Sequence, residues 1–304
     1  MSRNGSYYKS KLKPKDIILK EQILNIRLNH PFYGLGRLQI AFKSDYQNSN
    51  QNVSINRLRR VCKLHNLKPK SYSKAWNKTK DVNLPDTKIP NLLKPLMEVK
   101  QVAEETGVTA NQCKSKQIKR PNQVWCSDFT YLKFQGMWYY LATVIDTFTK
   151  EIVGFHISRN HNSALVIRAM RKAINKYGCP EISHNDQGSE YRSMEYLELL
   201  KVNTIIPSNS AKSSPWENSY QESFYGKFKA ELELSKLYYD SNFMELYNYI
   251  SNQIEYYNNY RIHSSIVGIP NQFRLNYYAQ INHNLKVNTP VHEEENLLYD
   301  KSGG

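Results

Sequence analysis

Residues 125–146 read WCSDFTYLKFQGMWYYLATVID, and the pattern of this stretch decides the fold. Runs at 125–133 and 138–146, rich in aromatic and β-branched residues, flank Gln135-Gly136, a pair suited to a tight turn, so the stretch predicts a β-hairpin. A third run at 152–157 extends it to three antiparallel strands. Downstream, Val166, Met170, Ala173 and Tyr177 fall on one stripe of a helix over 163–177 that Gly178 and Pro180 bring to a stop. A strand at 181–185, a helix around 193–201, a short strand at 204–207 and a long helix after Pro215 complete the order.

Three meandering strands followed by alternating helices and strands give an α/β domain of the ribonuclease H-like kind. The 304 residues leave room for a smaller module as well. Helices expected over 16–29, 37–43 and 56–66, with a turn at Tyr33-Gly34-Leu35-Gly36, form a small helical, helix-turn-helix-like domain. The division is then a basic helical DNA-binding module at 1–68, a basic linker at 69–120, the catalytic core at 121–285 and a tail at 286–304.

Charge follows the same division. Residues 1–120 hold 25 Lys or Arg against 8 Asp or Glu, a net of +17, while residues 121–304 hold 17 against 19, a net of −2. So uneven a distribution favours nucleic-acid binding by the front of the chain over general solubility. Within the third helix Leu58, Val61, Cys62 and His65 share helical spacing and Arg57, Arg59, Arg60 and Lys63 project elsewhere, as a helix lying against DNA requires. Apolar runs such as LATVI at 141–145 fall well short of the roughly 20 residues that cross a bilayer, so no membrane association is expected and the chain reads as soluble and cytoplasmic. Four scattered cysteines suit free thiols in a reducing compartment and show no zinc-knuckle spacing.

The chemistry rests on carboxylates. Asp128 sits mid-strand, where an acid needs solvent, a partner or a metal; alternation groups it with Val124, Cys126 and Thr130, opposite Trp125, Phe129 and Tyr131. Asp186 falls where the fourth strand ends, the usual place for a site in an open α/β sheet, and two acids on neighbouring strands can share a metal. On the long helix Ser214, Pro215 and Glu217 read as N-cap, first position and capping box. Tyr220, Phe224, Phe228 and Leu232 form its buried stripe, leaving Glu222 roughly 200° away with Asn218 and Lys229.

WCSDFTYL around Asp128, HNDQGSEY around Asp186 and ENSYQESFYGKFKAE around Glu222 together resemble the transposases of insertion-sequence family three, within the retroviral integrase superfamily. The 35 residues between Asp186 and Glu222 match that superfamily's spacing, and Lys229 takes its basic position seven after the glutamate. YYNNYRIHSSIVGIP at 256–270 and HPFYGLGRL at 30–38 extend the resemblance to residues 16–275. Asn185, where a small hydroxyl residue is commoner, and a long linker stretch at 97–119 depart from the pattern.

The resemblance implies a polynucleotidyl transferase whose Asp128, Asp186 and Glu222 hold two Mg²⁺ ions per active site, with Mn²⁺ as substitute, while Lys229 contacts DNA near the reacting phosphate. Its implied partners are double-stranded DNA, as terminal inverted repeats and target, further copies of the chain assembled on that DNA, and an upstream-frame protein. A nuclease of the same fold without strand transfer and a catalytically silent DNA-binding regulator are the competing readings. Elsewhere, His184 reads as a packed strand-end histidine and Asp146 as turn chemistry, Arg261 and His263 carry no assigned role, and most of the 23 tyrosines read as packing.

Overall fold

A computed structural model of the chain describes residues 13–45, 53–71, 89–93, 118–210, 219–237 and 240–288. Its centre is a five-stranded sheet in the order β3-β2-β1-β4-β5. The strands are β1 (Val124–Phe134), β2 (Met137–Asp146), β3 (Ile152–Ser158), β4 (Ile182–Asn185) and β5 (Ile206–Asn209). The first three run antiparallel, and β4 and β5 add parallel to β1. The α/β, ribonuclease H-like expectation is met. Gln135 and Gly136 take positive φ angles of 49° and 76° at the hairpin tip, the backbone that a two-residue turn between twisted strands demands.

Helices cover both faces. Among the described residues three precede the sheet, α1 (Lys13–Asn29), α2 (Leu35–Asp45) and α3 (Ile55–Leu64). Five follow its opening hairpin: α4 (Ser163–Tyr177), α5 (Met194–Val202), α6 (Ser219–Leu232), α7 (Phe243–Asn259) and α8 (Pro270–Asn288). On one face Leu165, Val166, Ala169, Met170 and Ala173 of α4 pack with Trp125, Ala142 and Val144. The helix approaches so closely at Gly154 that a Cβ there would stand 2.4 Å from the carbonyl oxygen of Ala169. On the other face Leu132, Phe134, Tyr139 and Leu141 pack with Phe224 and Phe228 of α6 and with Leu246, Ile250 and Ile254 of α7. Alternation along β1 and β2 serves the two cores by turns.

Two fastenings bind the flanking helices to this core. Arg274 of α8 is buried with Asp146 and Glu151. Its Nη2 donates to Asp146 Oδ2 at 2.9 Å and its Nε to Glu151 Oε2 at 2.5 Å, and the guanidinium lies 4.9 Å over the Tyr177 ring. Asp146 also serves the turn expected of it, since its Oδ1 accepts from the amides of Phe148 and Thr149. At the front, α1, α2 and α3 enclose Leu19, Ile23, Leu38, Leu58 and Val61, and Ile262 from beyond α7 completes that cluster. Tyr33 Oη accepts from the Ile262 amide at 2.7 Å, and the His30 ring stacks on Tyr33 with centroids 4.5 Å apart.

Candidate active site

Strand pairing brings the stretches that carry Asp128 and Asp186 side by side. β1 and β4 run parallel with Cys126 opposite His184. Asp128 and Asp186 each follow that pair by two residues, Asp186 directly after the last residue of β4, and both act on the same two buried tyrosines, Tyr191 and Tyr225. Asp128 is 4% exposed, so its carboxyl group depends on neighbouring groups rather than on water. One oxygen of each acid is fixed by the backbone: Phe129 N donates to Asp128 Oδ1 at 2.8 Å and Gly188 N to Asp186 Oδ1 at 3.0 Å.

Two buried tyrosines flank the pair. Burial first, and the charge of Asp128 next, push both the Tyr191 and Tyr225 phenols well above their ordinary range, with Asp186 adding to each. Both therefore remain protonated donors. Tyr225 Oη donates to the carbonyl oxygen of Asp128 at 2.6 Å and lies 2.8 Å from Thr143 Oγ1. The Tyr191 hydroxyl is buried without a hydrogen-bond partner among the described residues, an orphaned donor beside two carboxylates.

The same contacts position α6. Gln221, fully buried, donates from Nε2 to the carbonyl oxygen of Cys126 at 2.6 Å. With Tyr225 one turn later holding Asp128, the helix is pinned along β1 over the stretch that bears the acid. Glu222 follows Gln221 directly, so its backbone lies level with residues 126–128. Its side chain, and those of Ser214, Pro215 and Glu217, lie outside the described residues. Phe224, Phe228 and Leu232 are buried as the stripe requires, but Gln221 and Tyr225 share that burial.

Lys229 is exposed on α6, and its Nζ sits 4.8 Å over the Tyr131 ring. His184 is buried, with Nδ1 3.0 Å from Ser208 Oγ. Asn185 is buried too, and its Nδ2 donates to Ser183 Oγ at 3.3 Å. Arg261 is held in the interior by Glu231 through bonds of 2.7 and 2.8 Å. In the front module Asp16 takes up two of the four expected DNA-facing cations. Arg60 Nη2 reaches Asp16 Oδ2 at 2.7 Å and Arg57 Nε reaches Asp16 Oδ1 at 3.3 Å, while Lys63 and Arg59, whose Nη1 donates to Asn56 Oδ1 at 2.7 Å, are exposed.

Hard carboxylate oxygens and an orphaned hydroxyl donor fit a hydrated divalent cation such as Mg²⁺. Asp128 and Asp186 could supply such oxygens, and among the described residues no group of three or more His, Cys, Asp or Glu side chains is gathered as a metal site.

Two family models, both described as the integrase core domain, match this chain at residues 118–215 and 203–270. An uncharacterized transposase-like protein of Haemophilus influenzae is 33% identical over 151 residues, which cover 49% of this chain and 69% of that protein. The chain belongs to this transposase family. Transposase InsF for insertion sequence IS3A of Escherichia coli is 34% identical to the transposase-family chain over 158 residues. That match covers 50% of the chain and 54% of InsF, so the chain spans about half the length of that relative. Among solved structures, the trimeric form of the HTLV-2 integrase catalytic core domain in complex with magnesium is 22% identical, with a TM-score of 0.43, and the match covers 51% of this chain and 98% of that one. Among the described residues of this family member no helix is long and apolar enough to cross a membrane.

Proposed function

We propose that this transposase-family chain cuts and joins DNA strands at the ends of an insertion sequence, with Asp128, Asp186 and Glu222 as its catalytic residues. One observation carries the reading: β1 and β4 pair in parallel up to Cys126 and His184, two residues before each acid, and Asp128 and Asp186 both act on the buried Tyr191 and Tyr225. Divalent cations held by these carboxylates would activate an attacking oxygen and stabilise a leaving one in an in-line displacement at phosphorus. The chain's own groups hold that arrangement still. Tyr225 and Gln221 tie α6 to the strand carrying Asp128, which fixes the level of Glu222. Tyr191 offers a protonated hydroxyl for a hydrogen bond to an oxygen at the site. Lys229 and the exposed cations Arg59 and Lys63 are the DNA contacts we assign, with Arg57 and Arg60 secondary because Asp16 pairs with both and offsets one of their two charges. The partners are then terminal repeats, target DNA and further copies of the chain, in the cytoplasm.

The test supplies labelled duplexes ending in the element's terminal repeats, with Mg²⁺ or Mn²⁺. Cleaved and joined products that vanish in Asp128→Asn and Glu222→Gln, with binding retained, are the expected result. Hydrolysis without joining identifies a nuclease, and metal-independent binding without cleavage identifies a silent regulator. Removing both Arg59 and Lys63 should flatten the slope of log affinity against log salt by about 2, and removing Arg57 and Arg60 by less.

A further inference from the structure

The face of the β1–β2 hairpin turned away from α6 and α7 carries, among the described residues, two exposed rings, Tyr131 and Trp138, with Tyr140 and Phe129 half-buried beside them against the core under α4. The hairpin's inward residues, Leu132, Phe134, Tyr139 and Leu141, are buried under α6 and α7. The alternate residues Tyr131 and Trp138 stand 46% and 48% exposed. They are diagonal neighbours, since Tyr131 pairs with Tyr140 and Lys133 with Trp138, and their rings meet edge to face at 5.5 Å. A cation closes each end of the pair: Lys133 Nζ lies 5.8 Å from the Trp138 ring and Lys229 Nζ, reaching across from α6, 4.8 Å from Tyr131.

Phe129 and Tyr131 lie on the face of β1 opposite Asp128, so from there the contacts approach the acids by way of His161 and the loop that holds Asp186. Tyr140 lies 4.8 Å from the ring of His161, which stacks at 6.2 Å on Phe129, the residue after Asp128. His161 Nδ1 is 2.9 Å from Glu190 Oε1. Glu190 in turn borders Gly188, whose amide holds Asp186.

A lone exposed aromatic needs no explanation, but two exposed rings in contact with a cation at each end do. A protein partner would favour a core depleted of charge, whereas here ammonium groups sit directly over the rings. Rings alternating with lysines suit a polyanion that also presents flat apolar faces, which describes a strand of nucleic acid with unpaired bases. A closed duplex keeps those faces stacked internally. We propose that Trp138, Tyr131 and Tyr140, with Lys133 and Lys229, form a stacking track that carries unpaired bases of a DNA strand toward Asp128 and Asp186. That the strand is DNA rests on the transposase reading.

The experiment uses the full chain with Ca²⁺ in place of Mg²⁺, so that strands bind without turnover. A duplex with several unpaired terminal nucleotides, one of them 2-aminopurine, is compared with its blunt counterpart. The expected result is quenched 2-aminopurine fluorescence and binding about tenfold tighter than to the blunt duplex. Tyr131→Ala with Trp138→Ala should erase both signals, and Tyr131→Phe with Trp138→Phe should keep them. Trp138→Leu, which retains apolar bulk without an extended π face, should lose most of the preference and stands in if the double alanine variant fails to fold. Equal binding of both duplexes, or a preference unaltered by the alanine and leucine variants, overturns the track. A chain that prefers the frayed end yet never cleaves or joins DNA in Mg²⁺ keeps the track and removes the transposase reading; cleavage and joining with no frayed-end preference does the reverse.

Discussion

Over residues 124–128 the first strand is buried on both faces and, as far as Cys126, is flanked by β4 as well as β2. Over residues 129–134 only β2 pairs with it among the described residues, and the positions alternate between buried and open. One strand therefore changes character at Asp128. The first half surrounds a charge with packing and hydrogen bonds, so its side chains have little freedom to change. The second half anchors itself through every other residue and presents the remainder to solvent, where substitution affects contacts with partners more than folding.

The sharpest way to break this comparison is Asp128→Asn. It keeps the shape of a buried side chain but removes its charge, so cleavage should fall by more than about 10³-fold with the melting temperature nearly unchanged, read by product gels and calorimetry. Tyr225→Phe comes next. It leaves the carbonyl oxygen of Asp128 without its donor, and denaturant unfolding should show a loss of about 1–3 kcal/mol. Across the boundary Lys229→Ala should leave unfolding unaltered and weaken binding to DNA ends, lowering the salt slope by about 1. Smallest is Gly136→Ala at the hairpin tip. There is space for the methyl group, but φ of 76° suits it poorly, so a loss of about 1 kcal/mol with normal DNA binding is expected. If Lys229→Ala destabilised the fold as much as Tyr225→Phe, the division of the strand into a holding half and a presenting half would be wrong.

The hairpin and the helix over Ser163–Tyr177 were legible because turn residues punctuate them and their apolar spacing is regular. The last strand was less so. The sequence places it at 204–207, but Thr204 adopts a left-handed φ of 56° and the strand runs over Ile206–Asn209. Its buried members are Ser208 and Asn209, while Ile206 is exposed. Hydrogen bonds replace apolar burial there: Ser208 Oγ accepts from the Leu92 amide, which hydropathy cannot reveal. For the same reason Gln221 and Tyr225 escaped notice on α6, since a buried glutamine is recognisable only by its acceptor 95 residues away. Strand position alone singles out the two aspartates as candidates, whereas Lys229 rests on the resemblance and Glu222 on helix position together with it. Nor does helical spacing show that Asp16 draws in Arg57 and Arg60.

The Arg274 cluster has a consequence in the order of synthesis. Asp146 leaves the ribosome 128 residues before the arginine that pairs with it, and Glu151 leaves 123 residues before. Until then two acids at the turn between the second and third strands have no buried counter-charge and are best served by water. The sheet can begin to form, but this corner cannot close until α8 emerges. A product that stopped short of position 274 would carry both candidate aspartates and still lack the cation that seals the corner, so a shortened gene copy would yield a chain open to proteolysis rather than a smaller working enzyme.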